Sequence, residues 1–433
     1  MSMTSMDFED QNSYFALGNR LQMEGRVVEA ISAFRNAIKS NPYQASAHFN
    51  LAGALHLNGQ SDEALKHYRE AQRLNPSDVP TLINVANMYR EMGLLDDAVN
   101  TYRDAIILKP DVPSAHLGLA MALSARGLLD AAIDEFRLTI ELDPENADTH
   151  FYYGNTLHAK GDVDGAFAQW KDAVQLNGDH GRAHFNLGSA YYNVGKFEMA
   201  AWHYRESIRV TPDNPEAYGY LADVLSDSGQ HDLAIAEYRK AIKLNPKQVE
   251  SRNNFGLVLR LKGHLDAAIA QWEEAIRLKP NFADAHHNLG AALFITGNVE
   301  QGLYELREAI RLAPDHAWAR YNLGVAYNQV GDIDAAIASW QEALLIDPNM
   351  IGAHFNLGNA FFKRGRPDAA MTKWRETLAH NPDHPWARFN MGGALRSRHR
   401  LDTKMKPMIN QTIKLKPEMA QRIFATQGMP TEV

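Results

Sequence analysis

The sequence predicts an all-α protein in which one helix–turn–helix unit of 34 residues is repeated about twelve times and stacked as a solenoid. Three columns of residues recur at this interval, and they carry the prediction. Prolines form the first column, at Pro42, Pro76, Pro110, Pro144, Pro212, Pro246, Pro280, Pro314, Pro348 and Pro382. Glycines form the second column, at Gly25, Gly59, Gly93, Gly127, Gly161, Gly195, Gly229, Gly263, Gly297, Gly331 and Gly365. The third column holds only glycine or alanine, at Gly18, Ala52, Ala86, Ala120, Gly154, Gly188, Ala222, Gly256, Gly290, Gly324, Gly358 and Gly392.

Each unit is expected to contain two helices, because the segments between these columns have helical periodicity over roughly 12 to 14 residues. The turn glycine, such as Gly25, suits the end of the first helix, where a left-handed conformation is favourable for glycine. The proline, such as Pro42, closes the second helix, since it cannot donate a backbone hydrogen bond and disfavours the α conformation of the preceding residue.

The two helices of a unit are expected to pack closely through small and large residues that alternate. The glycine or alanine of the first helix faces an alanine column that begins at Ala30, and a bulky column that begins at Phe34 fills the remaining space. Such alternation lets facing helices interdigitate at native density.

These columns resemble the tetratricopeptide repeat family over residues 11–418. The resemblance implies a right-handed α–α superhelix with a concave groove, which the first helix of each unit lines. It also implies that the chain binds other proteins.

We divide the chain into four parts on this basis. Residues 1–10 are expected to form a frayed N-terminus, and residues 11–384 to form eleven complete repeats. Residues 385–418 read as a degenerate twelfth repeat, and residues 419–433 as a capping helix and tail.

The groove surface is expected to carry a column of asparagines, which we call the asparagine ladder. In the sixth unit Asn186 lies opposite the packed residues His184 and Leu187 at about 100° per residue. The ladder contains Asn50, Asn84, Asn186, Asn254, Asn288, Asn322, Asn356 and Asn390. Asparagine is a poor helix former, and its amide can pair with the backbone of an extended peptide whatever the peptide's side chains are. The alternative is that these residues are tolerated polar groups or bond to their own helix.

The ladder, in segments such as AHFNLG at 183–188 and 353–358, is similar to the one in the repeat domain of O-GlcNAc transferases. That resemblance implies that these eight asparagines bind the backbone of an extended polypeptide. Ala16, Gly118, Tyr152 and Tyr220 interrupt the ladder.

Neighbouring columns give the expected groove a local character. An acidic stretch of the seventh to ninth units would favour a basic segment of a partner, and it includes Glu216, Asp223, Asp227, Glu250 and Asp284. Trp318 and Trp386 are candidate contacts, because their column otherwise holds polar or small residues.

Nothing in the sequence indicates catalysis, a cofactor or a metal site. The chain has no cysteine, and six of its 18 histidines form one packed column, which we interpret as structural. Motifs for phosphate binding, serine hydrolases and zinc proteases are missing. No secretory signal and no run of eighteen apolar residues is visible, so we expect a cytoplasmic protein.

We therefore predict a non-enzymatic scaffold or adaptor that holds an extended segment of a partner protein. One alternative is a regulatory subunit that recruits substrates to an enzyme on another chain. Another is an assembly factor that docks at a membrane complex through residues 385–433, which carry nine lysines and arginines against three acidic residues. The net charge of −8 argues against a track for nucleic acid. The oligomeric state stays open.

Overall fold

The computed structural model describes the backbone of residues 5–397 and the side chains of residues 14–394. Within this part of the chain every regular element is an α-helix, and there are 23 of them. The all-α prediction is confirmed.

Twelve of the helices are the first helices of repeat units. They are α1 (Ser5–Met23), α3 (Ala45–Leu57), α5 (Val79–Glu91), α7 (Pro113–Ala125), α9 (Ala147–Lys160), α11 (Gly181–Asn193), α13 (Pro215–Asp227), α15 (Val249–Leu261), α17 (Ala283–Ile295), α19 (Ala317–Gln329), α21 (Ile351–Lys363) and α23 (Pro385–Ser397). Helix α1 begins within the segment that was expected to fray.

The other eleven are second helices. They are α2 (Val27–Ser40), α4 (Ser61–Leu74), α6 (Leu95–Leu108), α8 (Leu129–Leu142), α10 (Val163–Leu176), α12 (Phe197–Val210), α14 (His231–Leu244), α16 (Leu265–Leu278), α18 (Val299–Leu312), α20 (Ile333–Ile346) and α22 (Pro367–His380). The rest of the predicted twelfth repeat and the predicted capping helix at 419–433 lie outside the described residues.

The helices form two compact units, of which one ends at Val224 and the other begins at Leu225. In the first unit α1 to α12 pack each against the next, and in the second α14 to α23 do the same. Successive first helices also touch directly, as α5 touches α7 and α17 touches α19. Within each unit the chain is therefore a solenoid of helical hairpins, as predicted.

The turns between the two helices of a hairpin have the predicted left-handed glycine. All eleven turn glycines, from Gly25 to Gly365, have φ between 67° and 90°. After Gly161, the carboxylate of Asp162 accepts the backbone N–H of Gly165 at 2.9 Å and begins the next helix. Asp332 does the same for Ala335 at 3.0 Å.

The two helices of a hairpin approach most closely where a tryptophan of the second helix lies over a glycine of the first. A Cβ atom at Gly256 would lie only 2.5 Å from Nε1 of the buried Trp272. Glycine also stands opposite Trp170, Trp340 and Trp374. Where the first helix has alanine instead, as at Ala86, the buried partner is the smaller Tyr102. Every tryptophan of this column thus faces a glycine, whereas tyrosine and phenylalanine face glycine in some hairpins, as at Gly18 and Gly188, and alanine in others.

In six hairpins a histidine of the first helix binds the turn that precedes the hairpin. Their Nε2 atoms lie 2.9–3.4 Å from the carbonyl oxygen of the residue six positions earlier, which is the proline or Gly178. These buried histidines are His48, His116, His150, His184, His286 and His354. Arg252 and Arg320 take the same place in two units, and they donate to the carbonyl oxygens of Pro246 and Pro314. The column is structural, as predicted.

Two of these histidines face a second histidine, 19 residues later on the second helix of the same hairpin. Nδ1 of His184 lies 3.0 Å from Nδ1 of His203, and His48 is related to His67 in the same way. Because Nε2 of His184 donates to the carbonyl oxygen of Gly178, Nδ1 of His184 accepts from His203. Burial is the main cause that lowers the pKa of His203 to about 4, and the nearby His184 is the second cause. Burial also lowers the pKa of His184.

We predict that Gly256→Ala destabilises the second unit by about 1–3 kcal/mol, because the added methyl group must displace Trp272. The double variant Gly256→Ala/Trp272→Tyr should recover part of this loss, since it copies the pair Ala86 and Tyr102. A double-mutant cycle from urea unfolding measures the coupling. Gly53→Ala, whose Cβ would meet only the hydroxyl of Tyr68 at 3.5 Å, is the control and should not destabilise. Additive effects of the two substitutions would contradict the size matching.

We also predict that acid weakens the fold through the paired histidines. Because the pKa values of His184 and His203 are lowered in the folded chain, the unfolded chain takes up protons first as the pH falls below about 6.5. Stability therefore falls between about pH 6.5 and 4, and these groups have no effect at higher pH. His203→Gln keeps a hydrogen-bonding partner, as Gln169 is for His150, and no longer titrates.

This variant should reduce the loss of unfolding free energy between pH 7 and 4.5 by about 2 kcal/mol. Urea midpoints at a series of pH values provide the measurement. His264→Gln removes an exposed histidine at the start of α16, and its pH profile should match that of the unsubstituted chain. An unchanged profile in His203→Gln would show that the pair does not control acid stability.

Candidate functional site

The asparagine ladder lies on the surface of the first helices that faces away from the second helices, which we call the first-helix face. All eight asparagines of the ladder are half-buried there. In α11, for example, Asn186 is half-buried and Arg182 is exposed, whereas His184 and Leu187 on the opposite side are buried. The structure therefore places the ladder on a surface that is open to contact.

Most of these amides also bond to the first helix of the preceding hairpin. In three cases the acceptor is an asparagine 31 residues earlier: Asn50 donates to Asn19 (2.7 Å), Asn186 to Asn155 (2.7 Å) and Asn390 to Asn359 (2.8 Å). In three others the acceptor is 35 residues earlier: Asn288 donates to Asn253 (2.9 Å), Asn322 to Nε2 of His287 (2.7 Å) and Asn356 to the hydroxyl of Tyr321 (3.2 Å). The two kinds of acceptor position are four residues apart in a helix, so they share one side of it.

The ladder is thus a series of hydrogen bonds between successive first helices. The sequence left open only a tolerated polar residue, a bond within the same helix, or a contact with a ligand. In these six hairpins one N–H of the amide is used inside the protein. The second N–H and the carbonyl oxygen of each amide remain on the half-buried first-helix face.

Two of the acceptor asparagines also accept a hydrogen bond from a tryptophan of their own hairpin. Asn155 accepts the indole N–H of Trp170 at 3.0 Å, and Asn359 accepts that of Trp374 at 3.2 Å. Each of these asparagines therefore joins the second helix of its hairpin to the first helix of the next. Sequence reasoning missed them, although asparagine recurs at this column at 19, 87, 155 and 359.

The column four residues before the ladder carries ionisable side chains that have close partners in the middle of the chain. Arg182 lies 3.1 Å from Asp148 and donates to the hydroxyl of Tyr152 at 3.1 Å. In the second unit Glu250 lies 3.3 Å from Lys279. Asp284 lies 3.4 Å from His316.

The structure divides the predicted acidic stretch between the two units. Glu216 is exposed and Asp223 is half-buried in the first unit, whereas Asp227 and Glu250 are exposed in the second. The four residues therefore do not belong to a single unit.

The two predicted tryptophan contacts lie on the first-helix face of the second unit. Trp318 is 48% exposed and meets the ring of Tyr321 edge to face, at 5.6 Å between ring centroids and 84°. Trp386 is half-buried and meets Phe389 in the same way, at 6.4 Å and 88°. Phe389 is itself 50% exposed.

The described part of the chain offers neither a cluster of metal ligands nor a membrane-spanning helix. Residues 14–394 contain no cluster of three or more histidine, aspartate or glutamate side chains that could hold a metal ion. Among the helices that the structure describes, none has the length and apolar content to span a bilayer.

Family models for tetratricopeptide repeats match almost all of the described chain. A model described as TPR repeat matches residues 154–195, 222–263, 256–297, 292–331 and 326–365. Models described as tetratricopeptide repeat match residues 15–79, 86–147, 181–214, 203–236 and 351–384. The chain belongs to the tetratricopeptide repeat family.

The chain is also similar to several solved structures. The Cut9–Hcn1 hetero-tetramer of the APC/C is similar over 89% of this chain and 96% of that one, with 16% identity and a TM-score of 0.51, which shows the fold. YrrB, a TPR protein with an unusual peptide-binding site, matches with 28% identity over 42% of this chain and 95% of its own (TM-score 0.38). MamA matches with 28% identity over 38% of this chain and 95% of its own (TM-score 0.35). No curated protein gives a significant match.

Tetratricopeptide repeat proteins bind other proteins and are in general scaffolds without catalytic activity. The repeats of this chain support that general role.

We predict that Asn155→Ala destabilises the first unit by about 1–3 kcal/mol, because it leaves the amide of Asn186 and the indole of Trp170 without their acceptor. Hydrogen exchange of α9 to α11, together with urea unfolding, measures the effect. Asn193→Ala, at the exposed end of the same face of α11, is the control and should change stability by less than about 0.5 kcal/mol. Equal effects of the two substitutions would refute the role of Asn155 as a junction.

Proposed function

We propose that this chain is a non-enzymatic scaffold or adaptor that holds an extended segment of a partner protein against the first-helix face. The observation that carries the proposal is the asparagine ladder. Its eight amides are half-buried and occupy one column of the first helices, and six of them are held by a bond to the preceding hairpin.

The bond to the preceding hairpin prepares each amide for a second partner. A side chain that is already fixed loses less conformational freedom when a ligand binds. The second N–H can donate to a peptide carbonyl, and the carbonyl oxygen can accept a peptide N–H. Recognition of this kind reads the backbone, so it tolerates many side chains.

The spacing of the hairpins also suits an extended chain. Helices in contact are about 8–10 Å apart, and an extended peptide advances about 3.3 Å per residue. One ladder amide would therefore meet about every third peptide residue. The run of Asn254, Asn288, Asn322, Asn356 and Asn390 in the second unit offers the longest uninterrupted set.

The proposal predicts that Asn322→Ala/Asn356→Ala/Asn390→Ala lowers the affinity for unstructured peptides of about 15 residues, which would span about five hairpins. Three hydrogen bonds at about 1 kcal/mol each correspond to a loss on the order of 100-fold. The peptides are selected from a random-sequence library on the unsubstituted chain, and their affinities are measured by fluorescence anisotropy. The loss should be similar for peptides of different sequence.

Tyr321→Phe is the matched control for this experiment. It removes the hydroxyl to which Asn356 donates and leaves every ladder amide in place, so binding should fall much less than in the triple variant. Circular dichroism verifies that each variant is folded. Undiminished affinity in a folded triple variant would refute peptide binding by the ladder.

Neither alternative role is favoured by a specific contact of the described residues. Docking at a membrane complex was predicted from residues 385–433, of which the structure describes only α23. Recruitment of substrates to an enzyme on another chain would use the same first-helix face as the proposal. The cytoplasmic location stays a prediction from the sequence.

A further inference from the structure

We infer that the first-helix face of α19, α21 and α23 is a distinct recognition segment, which takes an uncharged stretch of the partner that contains proline in a polyproline II conformation. This inference rests on the proposed function, because it assigns a preferred sequence to one part of the same surface. We call this part the aromatic segment; it contains Trp318, Tyr321, Gly352, Phe355, Trp386 and Phe389.

The first observation is an arrangement of two aromatic rings, one exposed and one half-buried, that occurs twice. In α19 and again in α23 a tryptophan stands four residues before a ladder asparagine and meets the aromatic residue three positions later at nearly a right angle. The matching column in other hairpins holds residues such as Ser46, Ser114 and Glu250. Trp318 leaves 48% of its surface exposed, although tryptophan gains much from burial. Packing within the chain does not account for its position.

The second observation is the glycine that separates the two tryptophans. Gly352 occupies the tryptophan column in α21, and a Cβ atom there would lie 2.8 Å from the hydroxyl of Tyr321. This hydroxyl reaches the first turn of α21 and accepts the amide N–H of Asn356 at 3.2 Å. Burial raises the pKa of Tyr321, as expected for a phenol enclosed between two helices. In the tryptophan column, the surface between Trp318 and Trp386 is therefore formed by the backbone of Gly352 and the phenol ring of Tyr321, without a protruding side chain.

The third observation is the lack of charge on this surface. Four columns form this surface in α19, α21 and α23. They are the ladder column and the columns that lie four residues before it, one residue before it and three residues after it. These columns hold only aromatic, asparagine, glycine or valine residues. The cationic side chains of these helices that the structure describes have other partners: Arg320 bonds to Glu342 and to the carbonyl oxygen of Pro314, Lys363 donates to the amide oxygen of Asn328, and Arg388 bonds to Asp383. A charged peptide side chain would lose hydration here without gaining an opposite charge.

Together these features match a proline-containing segment better than other extended segments. Proline-rich chains in the polyproline II conformation dock in grooves lined by aromatic rings, and the ordering of such a chain costs little entropy. Proline has no N–H but keeps its carbonyl, so each residue of such a chain can still accept a hydrogen bond. The second N–H of Asn322, Asn356 and Asn390 supplies the donor that these carbonyls need.

The test compares three synthetic peptides of about 15 residues, a length that spans about five hairpins. One contains proline, leucine and glutamine, the second contains glycine, serine and glutamine, and the third is the first with lysine in place of glutamine. Affinities are measured by fluorescence anisotropy for the full chain and for the variant Trp318→Ala/Trp386→Ala. Trp202→Ala is the matched control, because Trp202 is 49% exposed but lies on the second helix α12.

We expect the unsubstituted chain to bind the neutral proline peptide at least about tenfold more tightly than the other two peptides. The double tryptophan variant should lose about 10- to 30-fold in affinity for that peptide, as for an aromatic anchor at an interface, and should keep its affinity for the glycine–serine peptide. Trp202→Ala should behave like the unsubstituted chain. Equal affinities for the three peptides, no binding of the proline peptide, or the same loss in Trp202→Ala would overturn the inference.

The inference and the proposed function fail in different ways. If the triple ladder variant loses affinity for all peptides while the tryptophan variant loses none, the scaffold proposal stands and the aromatic segment does not select proline. If the tryptophan variant loses proline binding and the ladder variant binds every peptide normally, the ladder proposal is wrong and the aromatic surface acts alone.

Discussion

The close approach of the two helices in each hairpin is the constraint on which the rest of this structure depends. Where the second helix places a tryptophan such as Trp272, the first helix can only have glycine, since a Cβ at Gly256 would lie 2.5 Å from the indole nitrogen. This contact fixes which side of the first helix is buried. Successive first helices then lie side by side with their opposite side uncovered, and binding can only use a surface that packing leaves open.

Polar residues set how one hairpin follows the next. The histidine column holds the turn before six of the hairpins through a carbonyl oxygen of that turn, and six of the ladder asparagines join successive first helices. In a solenoid each repeat contacts only its neighbours, so bonds of this kind determine the register locally. The ladder therefore has a structural task in addition to the proposed binding task. One amide can perform the structural task and the binding task together, because it has two N–H groups and a carbonyl oxygen.

The hairpins, the turn glycines and the exposed side of the first helix could be predicted from the sequence, because each follows from spacing and from the conformational preferences of single residues. The partner of each ladder amide could not be predicted. Whether Asn186 reaches Asn155, or Asn356 reaches Tyr321, depends on which side chain the preceding first helix offers at two equivalent positions. The pairing of His184 with His203 likewise needed the distance between two helices.

The central claim is that the ladder amides hold the backbone of a bound peptide, and nuclear magnetic resonance of the asparagine side chains tests it most directly. Selective ¹⁵N labelling of asparagine, with assignment by single substitutions, resolves the two N–H protons of each amide. The account predicts that one proton of Asn356 is protected from exchange in the free chain, by its bond to Tyr321, and that the other becomes protected when peptide binds. Binding that leaves the second proton of every ladder amide unprotected, and shifts resonances of the second helices instead, would contradict it.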